Sequence, residues 1–286
     1  MILLKKKFEK NIIIQGIHDK PILIDVRCKE KHAPSPIIIF CHGYKGFKDW
    51  GAWNIMADEF ADAGFCFVKF NFSHNGGTIE QPIDFPDLEA FGKNNYSKEL
   101  DDLDAVIKWM CENYEINKFA DTNNISLLGH SRGGGIVTTK SEEDSRIKNI
   151  ISLAGISSFK KRFHEGTKEF ASWEKTGVKY VENSRTKQQM PHYFQFYKDF
   201  TKNIKRLNIK RAAENLRIPH LIIHGNQDTS IFISEAKALH QWSLNSKLEI
   251  IEDANHVFQT CHPWEKNTLS KELQQAVNII IRFIKT

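Results

Sequence analysis

A serine hydroxyl is a weak nucleophile near neutral pH. It attacks a carbonyl only when a base takes its proton and a third group orients that base. The chain supplies such a trio in order: Ser131 in Gly129-His130-Ser131-Arg132-Gly133, Asp228 three residues past Gly225, and His256 in Asn255-His256-Val257-Phe258. Taken singly, each has an ordinary explanation. Asp228 suits a turn, and most of the 12 histidines must be structural or exposed. Position sets the trio apart, because each member stands just past the C-terminal end of a predicted strand. Gly-x-Ser-x-Gly between an apolar strand and a helix makes a sharp turn that lifts the hydroxyl above the sheet edge. The glycines at −2 and +2 relieve the crowding there, and the helix N-terminus behind Ser131 favours developing negative charge.

Two residues rival members of the trio. His262 lies further from its strand, before Pro263, and reads as a surface-turn residue. Asp253 is only three residues before His256, so it would need a tight local turn to reach the imidazole. Asp228 approaches from the neighbouring loop, and no carboxylate follows the strand that ends at Gly155. For the oxyanion, Phe40-Cys-His-Gly-Tyr-Lys-Gly-Phe47 follows an earlier strand. The expected donors are the backbone N–H groups of Tyr44 and Arg132, with His42 bonded locally as a structural residue.

The elements that must position these residues follow from periodicity. Asn11–Gln15 and Pro21–Arg27 read as extended. Ile37–Gly43, 65–72, Asn124–Ser131, 147–155, 220–225 and 246–253 read as strands, several of them apolar throughout, as in parallel sheets buried on both faces. Helical spacing marks 53–64, 96–113 with Ser97 as N-cap, the residues after Ser131, 234–242, and Ser270 to Ile284. Alternating strands and helices imply a mainly parallel sheet with right-handed crossovers. The pattern breaks at Gly155: residues 156–217 are basic, aromatic and irregular, with 15 Lys and Arg against 6 Asp and Glu. That stretch carries +9 of a net +5, so the remainder carries −4. The expected organisation is a core of 1–155 and 218–286 with an inserted cap, 156–217.

Composition excludes several classes. No apolar run reaches the ~18 residues of a membrane span. The N-terminus has its lysines after its short apolar patch, the reverse of a secretory signal, so a cytoplasmic location is expected. Five scattered cysteines without a C-x-x-C pair argue against a disulfide framework or a zinc site. No nucleic-acid motif accompanies the basic charge, and oligomeric state is left open.

On Ile37–Gly43, Gly129–Gly133, His224–Asp228 and Asn255–Phe258, the sequence resembles the α/β-hydrolase family. The flavour is that of small cinnamoyl-esterase-like, dienelactone-hydrolase-like and prolyl-oligopeptidase-like enzymes. Ser131 stands where dienelactone hydrolases typically carry cysteine. The resemblance implies an α/β fold with helices flanking a mainly parallel sheet. It also implies hydrolysis of an ester, thioester, lactone or amide through an acyl-enzyme, without cofactor or metal; a small-molecule carboxylic ester is the expected substrate, and the basic, aromatic stretch 156–217 suits one that is aromatic or anionic. The alternatives are a serine peptidase, a thioesterase, or a non-catalytic binding protein on the same fold.

Overall fold

The structure is a computed structural model and describes residues 6–29 and 34–286. The chain opens with β1 (Lys6–Gln15), β2 (Pro21–Lys29), β3 (Ser35–Cys41), α1 (Trp53–Ala63) and β4 (Cys66–Asn71). Next come α2 (Leu88–Gly92), α3 (Tyr96–Glu112), α4 (Tyr114–Asn117), β5 (Ala120–His130), α5 (Arg132–Glu143) and β6 (Ile147–Leu153). A 3-10 turn at Lys160–Phe163 leads into α6 (Lys168–Thr176), β7 (Val178–Glu182), β8 (Gln189–Tyr193), α7 (Gln195–Lys202) and α8 (Ile209–Asn215). The chain closes with β9 (His220–Gly225), α9 (Ile233–Trp242), β10 (Ser246–Ile251) and α10 (Lys271–Lys285).

Eight strands form one sheet in the order β1-β2-β4-β3-β5-β6-β9-β10. From β4 to β10 every pairing is parallel, while β1 and β2 join the edge antiparallel. The apolar strands explain this layering. Every residue of β4 and of β9 is buried, because helices cover both faces. Alternation along β3 sends Ile37 and Ile39 to the core beneath α3 and α5, and Ile38 and Phe40 to the core beneath α1 and α10. On α3, Leu100, Leu103, Val106, Ile107 and Met110 are all buried at helical spacing. Each such side chain contributes about 1.5–3 kcal/mol by leaving water.

Three local expectations need correction. The cap of α3 is Asn95, whose side chain accepts from the Lys98 amide, while Ser97 donates to Asp199 instead. The strand before Ser131 starts at Ala120, earlier than its apolar part indicates, because Ala120 and Asp121 pair with Ser35 and Pro36 ahead of a register shift. Cys28 and Cys66, on neighbouring strands β2 and β4, form a disulfide that their sequence spacing gave no sign of. Cys41, Cys111 and Cys261 are free.

Between β6 and β9 the chain leaves the large sheet and builds a separate two-stranded hairpin of β7 and β8. Phe163, Trp173, Phe194, Phe196 and Phe200 are buried there and continue the core beneath α3. Tyr96 joins the two, its ring centroid 4.0 Å from Phe159 and 4.6 Å from Phe196.

Candidate active site

Ser131 is the residue between β5 and α5, with φ 57° and ψ −118°. This sparsely populated conformation stores strain, and the surroundings must hold it. They do so by close approach. A Cβ on Gly133 would lie 2.3 Å from the Cys41 carbonyl oxygen, and one on Gly129 would lie 2.2 Å from the Gly133 oxygen. Both are backbone atoms that cannot move aside, so both positions require glycine. The Ser131 amide donates to the Leu153 carbonyl at 2.9 Å, tying the turn to β6.

The three residues singled out from the sequence come together. Ser131 Oγ lies 3.0 Å from His256 Nε2, and His256 Nδ1 lies 2.8 Å from Asp228 Oδ2. The Asp228 side chain is fully buried. Its Oδ1 accepts from the amides of Ser230 and Ile231, each at 2.8 Å. Burial alone would raise the Asp228 pKa. Hydrogen bonds from His224 and His256, together with the Ile231 amide, outweigh it and hold the carboxyl well below its usual range. Asp228 is therefore a carboxylate at any working pH, and it fixes the proton of His256 on Nδ1. Nε2 is then left as the acceptor facing Ser131.

Asp253 stands apart from this relay. Its backbone is left-handed, with φ 60°, and its amide donates to Asn226 at 2.8 Å. His262 is not a plain surface-turn residue, as the sequence had implied. It is partly buried, accepts from the Gly51 amide at 2.9 Å, and packs edge-on to Phe47.

The loop after β3 passes beside the serine. A Cβ on Gly43 would come within 2.9 Å of Ser131 Cβ. The amides of Tyr44 and Arg132 find no acceptor among the described residues and flank the same cavity as Ser131. His42 Nδ1 meets the Gly43 carbonyl at 2.9 Å, in keeping with a local structural bond. Burial above all depresses the His42 pKa to about 4.

Other residues in this site escaped the sequence reading. His130 Nε2 donates to the His256 carbonyl at 2.9 Å and so holds the loop carrying the base. Burial, then the neighbouring His256, lowers its pKa to about 3, which keeps the ring neutral. Beneath the β3 loop, Lys48 and Lys69 interleave with Asp25 and Asp49 in a fully buried four-charge cluster. Lys48 belongs to that loop, so the cluster anchors it to β2 and β4. The one sequence signal was Lys69 inside the otherwise apolar strand Cys66–Asn71. From β8, His192 Nδ1 donates to the Met190 carbonyl at 3.2 Å, leaving Nε2 to accept from the Tyr44 hydroxyl at 2.8 Å.

Ser131 lies where two cavities of about 510 Å³ each meet. One is walled by Trp50, Trp53, Arg185 and His262. The other runs beneath residues 156–217, between Tyr44, Arg132, Trp173, Lys179 and Phe196. Among the described residues no group of three or more His, Cys, Asp and Glu is arranged to hold a metal ion. No helix among them is long and apolar enough to cross a membrane.

Comparison with known proteins agrees with this architecture. A curated relative in Escherichia coli, an uncharacterized 31.7 kDa protein of the traX-finO intergenic region, is 30% identical over 135 residues. That match takes in 46% of this chain and 41% of the relative, so less than half of the relative's length is represented. Est1E from Butyrivibrio proteoclasticus, solved with ferulic acid bound, superposes with a TM-score of 0.74 at 16% identity, over 96% of this chain and 98% of its own. A dienelactone hydrolase from Anabaena variabilis superposes with a TM-score of 0.64 at 13% identity, over 98% of this chain and 97% of its own. The family model for the alpha/beta hydrolase fold matches residues 36–182, the half of the sequence that runs from β3 through the Ser131 turn to β7, and the chain belongs to that family.

Proposed function

We propose that this protein is a serine hydrolase that cleaves carboxylic esters through an acyl-enzyme. The observation that carries the reading is the continuous relay from Ser131 Oγ through His256 to the buried Asp228, opening on two cavities. Ser131 Oγ attacks the ester carbonyl carbon while His256 Nε2 takes its proton. The carbonyl oxygen becomes an oxyanion and turns to the free amides of Tyr44 and Arg132. Each donor of this kind is typically worth about 2.7–4 kcal/mol of transition-state stabilisation. His256 then returns the proton to the departing alkoxide, and the alcohol leaves from an acylated Ser131. Water repeats the sequence: His256 takes its proton, hydroxide adds to the acyl carbon, and the acid departs as Ser131 recovers its hydrogen. Asp228 stays ionised and stabilises the imidazolium formed twice per turnover.

The test is labelling by a fluorophosphonate together with turnover of p-nitrophenyl esters. Ser131→Ala should abolish labelling and lower turnover by several orders of magnitude, since the three residues act as a unit. The small side chain leaves the fold intact. Activity above a few per cent of the parent in the variant overturns the assignment. Aminoacyl amides in the same panel separate an esterase from a peptidase.

A further inference from the structure

The cavity beneath the insert is not electrically neutral. Arg132, Lys45 and Lys179 all open into it. Their charges converge on His192, whose pKa falls to about 3, first through burial and then through Arg132, Lys179 and Lys45. Arg132 is compensated, with Glu99 at 3.1 Å. The two lysines are not. Among the described residues neither has a carboxylate within ion-pair distance, and burial lowers the pKa of both. Lys45 Nζ sits 5.3 Å from the Tyr44 ring centre and reaches the Glu182 carbonyl at 3.4 Å. Lys179 Nζ lies 4.0 Å over the Trp173 ring, which gives it a π face, and it has no hydrogen-bond acceptor among the described residues.

The arginines around them behave differently. Arg162 pairs with Glu235, Arg185 with Asp84, Arg206 with Glu143, and Arg211 with Glu142. Lys45 and Lys179 are thus half-buried, have no carboxylate partner among the described residues, and both face the cavity at Ser131. A desolvated ammonium is normally paired, and an apolar-walled cavity with a few convergent charges is the usual form of a ligand site. Aromatic walls at Tyr44, Trp173 and Phe196 accept a flat or apolar body, and the lysines accept an anion at its end.

Resting on the serine-hydrolase reading above, we infer that the ester cleaved here carries a carboxylate on the part lodged beneath residues 156–217, bound by Lys45 and Lys179. Two matched ester pairs test this and tell which side of the ester bears the charge. Phenyl 4-carboxybenzoate against phenyl 4-carbamoylbenzoate puts it on the acid. 4-Carboxyphenyl acetate against 4-carbamoylphenyl acetate puts it on the alcohol. At low salt the carboxylate should be preferred at least tenfold in kcat/KM in one pair. That ratio should fall towards unity in Lys179→Met, in Lys179→Gln, and in the double variant with Lys45→Asn, each normalised to its own carboxamide rate. Asparagine tolerates the left-handed backbone at position 45, where φ is 54°. Ratios at or below unity in both pairs overturn the inference, as does a preference that survives all three variants. Absence of Ser131-dependent turnover of all four esters, the carboxamides included, overturns the hydrolase reading itself.

Discussion

At the scale of single residues, two carboxylates invite opposite experiments. Asp228 is buried, ionised and bonded to His256, whereas Asp253 lies in an exposed turn with φ 60°. Asp228→Asn should keep the geometry but favour the wrong imidazole tautomer, lowering kcat by roughly 10⁴. Asp253→Asn should change it by less than about tenfold, because asparagine suits a left-handed turn. Both are measured on one activated ester after folding is checked by circular dichroism. The reverse ranking would move the acid to Asp253. Asp102 on α3 offers a stability test instead. It is buried, its Oδ2 accepts from the Ser73 amide at 2.8 Å, and its Oδ1 has no partner among the described residues. Burial, chiefly, raises its pKa to about 7. Unfolded, it titrates near ~3.9. Between those values the folded state binds the extra proton, so stability falls as pH rises from about 4 to about 7. The whole penalty, at most about 4 kcal/mol, is present above that window. Asp102→Asn should remove it, so the variant gains on the parent in urea unfolding at pH 8 relative to pH 5. A gap that does not widen with pH would show that Asp102 is already ionised at little cost.

At the scale of elements, what the sequence makes legible is what periodicity and crowding write into it. The strand, Ser131 and α5 could be read because an apolar run, small residues at fixed offsets and a helical start coincide there. Asp228 and His256 followed from standing at the ends of β9 and β10. The hairpin of β7 and β8 could not be read: Val178–Glu182 and Gln189–Tyr193 lack alternation and a tight-turn dipeptide. Its place is fixed by tertiary bonds instead, such as Trp173 Nε1 donating to the His192 carbonyl at 2.6 Å. His130 gave no such mark, and the Lys48–Lys69 cluster only the single one of Lys69 within its strand, since Asp25 and the His256 carbonyl lie far off in sequence. The Ser131 turn makes its own prediction. Gly133→Ala should abolish esterase activity and lower the melting temperature, because its methyl would meet backbone at 2.3 Å. A methyl at Gly166 meets nothing within 4 Å, so Gly166→Ala has only its φ of +82° to strain it. That variant should keep nearly full activity with a small loss of stability. Equal damage from both would mean that strain at positive φ, and not the close packing behind Ser131, dominates.

At the scale of the whole molecule, the +9 of residues 156–217 against −4 elsewhere invites an account by long-range attraction. The ion pairs argue for something more local. Arg162, Arg185, Arg206 and Arg211 all end on acids outside that stretch, so part of its charge fastens residues 156–217 to their neighbours. The arginines of these pairs are partly exposed, so each pair contributes modestly and projects little field beyond a Debye length. Among the lysines without a carboxylate partner, Lys45 and Lys179 are the ones that face the cavity at Ser131. Attraction should then be short-ranged and sensitive to salt only for a charged ester. Raising NaCl from 0.05 to 0.5 M shortens the screening length from about 14 Å to about 4 Å. Over that range kcat/KM for a carboxylated ester should fall several-fold, mainly through KM, while its carboxamide analogue changes by less than about twofold. A melting temperature followed at the same salt concentrations separates screening at the cavity from loosening of the insert. If both esters lose activity in parallel with a falling melting temperature, salt acts on the bridges that seat the insert. If only the charged ester responds while the melting temperature holds, the effect belongs to the cavity.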